Sequence, residues 1–246
     1  MQGNKIVEVT NLVKRFGDFT ALDNVSFSVN KGEIFGLIGP NGAGKTTALR
    51  ILSTLLLPTS GLVRVLSYDI VSEADKVRQQ IAYLAEDAGT YRNLTGCEYL
   101  SIVAKIYFKS RREAERATHE AIKISGLGDR IKDKMKTYSK GMKRRVQIAR
   151  ALMTKPKLAI LDEPTAGLDV FHAQHIRGIV KAHSLAGNTV VLSTHNMLEV
   201  EYLCSKVALI HQGRIVVEGA PQAIKDKYGA SNLEEAFLGV IDKWES

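Results

Sequence analysis

The sequence has no apolar run approaching the roughly 20 residues a membrane-spanning helix needs; its longest apolar stretches, IFGLIG and TVVLS, are strand-sized. The opening stretch MQGNKIVEVT has no apolar segment of the kind a secretory signal carries, so the expectation is a cytoplasmic chain. Cysteine is scarce as well. Cys97 and Cys204 are too few for a disulfide framework and wrongly spaced for a zinc site, which leaves two reduced thiols. Repeats, low-complexity tracts and long heptad patterns are missing, which excludes solenoids and coiled-coil rods.

What remains is an ordinary soluble balance, 45% hydrophobic and 24% charged over 246 residues, enough for one large core with a small appended lobe. The net charge of +8 suits a polyanionic ligand, a nucleic acid or an anionic membrane face, and does not choose among them. The segment YSKGMKRRVQIARAL, residues 138–152, concentrates that charge at Lys140, Lys143, Arg144 and Arg145.

Short β-branched runs alternate with helical patterns. KIVEVTNLV, VSFSV, EIFGLIG, LVRVLSYDI, IAYLAED, KLAILDEP, TVVLSTH, VALIHQ and RIVVEGA read as strands; TTALRILSTLL and the stretch from Val170 to Leu185 read as helices. Fully apolar strands separated by helices imply a largely parallel sheet covered on both faces. Residues 96–153 break the alternation with three successive helical segments, which reads as an α-helical lobe inserted into an α/β core. NLEEAFLGVIDKWES reads as an amphipathic helix with a frayed end.

Two motifs carry chemistry. GPNGAGKTT satisfies G-x-x-x-x-G-K-[ST] through Gly39, Gly44, Lys45 and Thr46, with an apolar strand before it and a helix after it, the context that makes the motif credible. Its glycines let consecutive backbone N–H groups converge on phosphates, the helix start adds positive potential, Lys45 supplies a point charge and Thr46 a hydroxyl for Mg²⁺. LAILDEP then places Asp162 and Glu163 at the end of a buried strand, where an open α/β sheet binds its ligands. Asp162 is suited to hold Mg²⁺ and Glu163 to orient and deprotonate an attacking water.

GPNGAGKTT, YSKGM, LDEPTAGLD and STH, in this order, resemble the motif set of ATP-binding-cassette ATPases over residues from about Ile6 to Gly219. The resemblance implies a RecA-like P-loop NTPase core with an antiparallel β region and an inserted α-helical subdomain. The expected ATPase domain is 1–228, with its core at about 1–88 and 154–228 and the lobe at about 89–153, followed by a helical tail, 229–246. It implies ATP and Mg²⁺ as ligands, with Gly39, Pro40, Asn41, Gly42, Ala43, Gly44, Lys45, Thr46 and Thr47 around the nucleotide. It also implies a head-to-tail pair of subunits, homo- or heteromeric, in which Ser139 and Gly141 of one close over the ATP of the other. Lys140, where the family has a glycine, is left reaching phosphate or ribose or pointing to solvent. Arg144 and Arg145 are expected to make surface or inter-lobe contacts. A basic cluster beside a triphosphate needs no nucleic acid to explain it, and no interleaved aromatics support base stacking there.

Further roles carry over by position. Phe16 matches the aromatic that stacks on adenine, Asp169 a loop facing the partner subunit, and His195 the switch histidine that, with Glu163 and Lys45, makes up the catalytic set. Asp169 also suits the N-cap of the helix that follows it. Glu86 stands where the family usually has a glutamine and joins Thr46 and Asp162 as an expected contributor to the metal's environment. A single cassette of this kind most resembles the ATPase of ABC-2-like exporters, held by an integral membrane permease at the cytoplasmic face of the membrane. A soluble assembly ATPase, of the iron–sulfur-cluster type, is the alternative.

Overall fold

The computed structural model describes residues 5–245; residues 1–4 of the expected ATPase domain and Ser246 of the expected tail lie outside the described residues. The chain opens with a long antiparallel hairpin, β1 (Lys5–Phe16) and β2 (Phe19–Asn30), turned at Gly17. Strand β3 (Ile34–Ile38) runs straight into the glycine-rich loop and helix α1 (Lys45–Leu52). Next come β4 (Ser60–Val65), β5 (Tyr68–Asp69), the short α2 (Ala74–Arg78) and β6 (Ile81–Leu84). The LVRVLSYDI stretch, expected as one strand, is a hairpin instead. Leu66 (φ 55°) and Ser67 (φ 70°) turn it between Val65 and Tyr68, which pair, and neither turn residue is the glycine that would have signalled it. Likewise α1 stops short of Leu56, because Thr54 (φ 61°) leaves helical space.

The helical lobe follows: α3 (Gly96–Tyr107), α4 (Arg111–Ser125), two 3₁₀ turns at Gly128–Lys132 and Met135–Thr137, and α5 (Lys140–Leu152). Thr95 and Glu98 form a reciprocal capping box at the start of α3, and Ser110 caps α4. The lobe has its own apolar centre, including Leu100, Ala121, Met135, Val146 and Met153. The core resumes with β7 (Leu158–Asp162), α6 (Val170–Leu185), β8 (Thr189–Thr194), α7 (Met197–Leu203), β9 (Lys206–His211) and β10 (Arg214–Gly219). It closes with α8 (Pro221–Tyr228) and α9 (Leu233–Glu245).

The strands form two sheets. One is antiparallel in the order β2-β1-β4-β5; the other runs β10-β9-β3-β8-β7-β6, parallel from β9 to β6 with β10 antiparallel at one edge. Alternate residues of β3 face opposite ways. Phe35 and Leu37 join the layer under the antiparallel sheet with Leu12, Leu22 and Leu49. Ile34 and Ile38 join the layer beneath α5, α6 and α7 with Ile148, Ile176 and Val200. Each fully buried Leu or Ile of these layers contributes about 1.5–3 kcal/mol. The parallel register positions the site. Ile38 lies beside Thr194 and Asp162 beside Ser193, so the residues leaving β3, β7 and β8 emerge side by side.

Candidate nucleotide site

The loop leaving β3 is shaped by close approach to neighbouring backbone. A Cβ on Gly39 (φ 154°) would drive into the Ile210 carbonyl, and one on Gly44 (φ 106°) would lie 2.7 Å from the Ala21 oxygen. Helix α1 starts at Gly44 with no side-chain cap, so its first N–H groups are left for an anion. Lys45 is buried, its ammonium donating to the carbonyls of Gly39 (2.7 Å) and Pro40 (3.1 Å) and standing 3.6 Å from the Glu163 carboxylate.

Asp162 and Glu163 are both buried at the end of β7. Asp162 Oδ1 accepts from Thr46 Oγ1 (3.2 Å) and Ser193 Oγ (2.5 Å), and Oδ2 from the Tyr83 hydroxyl (3.4 Å). Burial, then the nearby Asp162 charge, pushes the Tyr83 phenol up. Glu163 has left-handed backbone, φ 46°, a conformation that costs a non-glycine residue about 1–2 kcal/mol. It is held by its N–H, which faces the Ser193 carbonyl (3.2 Å) and hydroxyl (3.0 Å). Its Oε1 lies 2.9 Å from Nδ1 of His195, in the loop after β8.

That loop is braced by a residue the sequence reading did not single out. Glu199 is fully buried, accepts from Thr194 Oγ1 at 2.9 Å, and has its carboxyl pushed above the ordinary value by burial, with Thr165 and Thr194 opposing. The signal available was its place four residues after His195 on the apolar side of a short helix. At the helix start, Asn196 caps α7 by accepting from the N–H groups of Leu198 and Glu199.

Two adjoining cavities share Glu86 and Glu163. One, of about 400 Å³, is lined by residues 41–47 with Phe19 and Ala21; the other, of about 330 Å³, is lined by residues 86–90 with Lys140, Lys143, Arg144, Gln147, Ala166 and Leu168. Phe19, not Phe16, is the aromatic lining the first cavity. The two rings are opposite each other in the β1–β2 register, and the Lys14 ammonium sits 4.9 Å from the centre of the Phe16 ring.

Ser139 and Gly141 do not line the cavity of their own P-loop. Ser139 caps α5, accepting the Met142 N–H at 3.2 Å. Gly141 packs against the His172 ring, which leaves no room for a Cβ. His172 Nδ1 lies 2.7 Å from Asp169 Oδ2, and Asp169 Oδ1 accepts the His172 N–H at 2.9 Å, so Asp169 does cap α6. Lys140 is exposed at the start of α5, with its ammonium beside Gly167 of the loop before α6 and its side chain on the wall of the second cavity. The surface position considered for Arg144 and Arg145 is corrected, since both are buried. Arg145 stays inside the lobe, donating from Nε to the Ser125 carbonyl at 2.7 Å and from Nη2 to that of Gly126. Arg144 reaches out of the lobe into the core.

The oxygen-rich corner of Thr46, Asp162 and Glu86 fits a hard divalent cation such as Mg²⁺. Among the described residues no cluster of three His, Cys, Asp or Glu side chains is placed to hold a metal ion.

The ABC transporter family pattern matches residues 22–166. The chain belongs to the ABC transporter ATP-binding family. It is 38% identical over 96% of its length to the linearmycin resistance ATP-binding protein LnrL of Bacillus subtilis, spanning 78% of that protein. It is 38% identical over 94% of its length to the daunorubicin/doxorubicin resistance ATP-binding protein DrrA of Streptomyces peucetius, spanning 70% of it. Among solved structures, an ATP-binding subunit of an ABC transporter superposes with a TM-score of 0.85 at 30% identity, covering 96% of this chain and 99% of the other. A dimeric post-hydrolysis cassette, MJ0796 bound to ADP and Pi, superposes at 0.77 and 27% identity, covering 87% and 98%. The two sheets and inserted helices are thus the RecA-like P-loop architecture of ABC cassettes. Among the described residues no helix is long and apolar enough to cross a membrane.

Proposed function

We propose that this chain hydrolyses ATP as one half of a head-to-tail cassette pair, and that closing and opening of the pair drives a separate ABC-2-type export permease at the cytoplasmic face of the membrane. The observation that carries the reading is the division of the site. The glycine cradle, Lys45, Glu86 and Glu163 share one cavity, while Ser139 and Gly141 of the same chain lie outside it, and Ser139 is exposed at the start of α5, where it can face a partner's nucleotide.

In this reading the N–H groups of residues 41–47 bind the triphosphate. Lys45 gives up the Gly39 and Pro40 carbonyls for phosphate oxygens. Thr46 and Asp162 would hold Mg²⁺, with Glu86 adding charge beside it; bound there, the ion neutralises charge developing on the phosphates. Glu163 orients a water towards the γ-phosphorus and accepts its proton as the oxygen bonds to phosphorus and ADP leaves. His195 steadies the Glu163 carboxylate through its Nδ1 contact. Phe19, on the cavity wall, and Phe16, opposite it in the β1–β2 register, are both exposed and offer rings to the base. Asp169 faces the partner across the pair. The resistance proteins LnrL and DrrA, and the dimeric state of the MJ0796 cassette, support the exporter and clamp parts of the reading.

The test uses two substitutions and one purification. Glu163→Gln should lower hydrolysis by about 10²-fold or more and leave a long-lived ATP-bound dimer on size exclusion, whereas Lys45→Ala should neither hydrolyse ATP nor dimerise with it. A Glu163→Gln protein that stays monomeric at saturating ATP, with and without permease, defeats the clamp. Co-purification of a membrane-spanning partner from solubilised membranes supports transport; a soluble partner supports an assembly ATPase instead.

A further inference from the structure

Arg144 spends its whole donor set on backbone. Nε donates to Pro164 O (3.0 Å), Nη1 to Ala85 O (2.8 Å) and Glu86 O (3.1 Å), and Nη2 to Asp162 O (2.6 Å) and Glu163 O (2.9 Å). These carbonyls lie on two separate segments, one leaving β6 and one leaving β7, and the guanidinium is the wedge between them. The side chain is 7% exposed. Burial pulls its pKa down, while Asp162, Glu86, Glu199 and Asp87 supply the opposing negative charge. Two of its partners belong to residues already at the cavity wall, Glu86 and Glu163. The Glu163 carbonyl is the C-terminal side of a strained φ 46° backbone whose N-terminal side is fixed by Ser193. Arg144 itself rises from α5, the helix that Ser139 caps.

We propose that Arg144 is a positioning residue for hydrolysis: it sets the backbone of Glu163 against that of Glu86 and ties both to the helix carrying Ser139. The proposal rests on the ATPase reading above. A shift of Ser139 on meeting a partner's nucleotide is thereby passed to the acid that handles water in its own cavity. Arg145 is the internal control, since it is equally buried on the same helix but bonded to Ser125 and Gly126 within the lobe.

The experiment measures kcat, KM and binding of a fluorescent ATP analogue for the full chain, per folded protein and below every melting midpoint, in Arg144→Met, Arg144→Lys and Arg145→Met. Misplacing a water-activating group costs turnover more than binding, so Arg144→Met should lose more than about tenfold in kcat with analogue affinity within about threefold of native. Arg144→Lys keeps the charge without the planar fork and should lie nearer Arg144→Met than native. Arg145→Met should lose melting temperature but less than about threefold in kcat. A smaller loss in Arg144→Met, a parallel loss of affinity, turnover in Arg144→Lys nearer native, or an equal kcat loss in Arg145→Met overturns the proposal. Should Arg144→Met not fold, Arg144→Lys decides by losing more or less than about tenfold in kcat at kept affinity. A native chain without ATP hydrolysis, or Glu163→Gln as active as native, fails the underlying reading instead.

Discussion

At the scale of single residues the site is organised by charge confined in a small buried volume. Glu199 shows what that confinement does away from the nucleotide. Its carboxyl is raised above the ordinary 4.5 by burial, so the native state holds its proton more tightly than the unfolded chain. Its stabilising contribution is therefore full below pH 4.5 and is lost as pH rises towards the raised native value. Glu199→Gln keeps the shape and cannot ionise. Its melting temperature relative to native should grow more favourable as pH rises above 4.5, read by thermal melts at successive pH values. A difference that is flat or declines with pH rejects the assignment. Residues of this kind were the least legible in the sequence. The Gly39–Thr47 cradle and the Asp162–Glu163 pair announce themselves by local spacing. Arg144 earns its place through partners 20 and 59 residues away, which no local pattern encodes.

Elements meet at this site through small residues placed against large ones. Gly141 lets the start of α5 lie against His172 on α6, and a methyl group there must displace the ring or the helix. Gly141→Ala should cost about 1–3 kcal/mol in denaturant melts, and adding His172→Ala should recover most of it, a coupling between neighbours. If the two losses simply add, the contact does not limit packing. Strands and helices themselves were well marked, because buried parallel strands are continuous apolar runs and helix starts carry caps such as Thr95 and Ser110. Element ends were less so. The Leu66–Ser67 turn and the stop after Leu52 depend on left-handed residues without glycine, where tertiary packing overrides the usual signals.

On the scale of the whole molecule, ligand binding and folding share one free energy. The cradle is assembled from β2, β3, α1 and β7, so ATP holds these elements together only when the chain is native. ATP at about 100 times its dissociation constant should add about 2.7 kcal/mol of stability, seen as a raised melting temperature, and Lys45→Ala should erase most of that shift. No shift in the native protein would separate the cavity from nucleotide binding.

Helix α9 extends this unity beyond the sheets. Glu201 on α7 accepts the Leu233 N–H at 3.2 Å and pairs with Lys225 at 3.2 Å, fastening α8 and α9 to the helix that follows His195. A cavity of about 580 Å³ runs from Gly39, Pro40 and His195 to Phe237 and Leu238. An environment-sensitive dye on a cysteine at position 238, 57% exposed in the native chain, would sit at the rim of that cavity. With Cys204 sealed inside and Cys97 replaced by serine, its emission would give an optical gauge of the histidine loop in real time, since His195 and the first residues of the phosphate cradle line the same cavity.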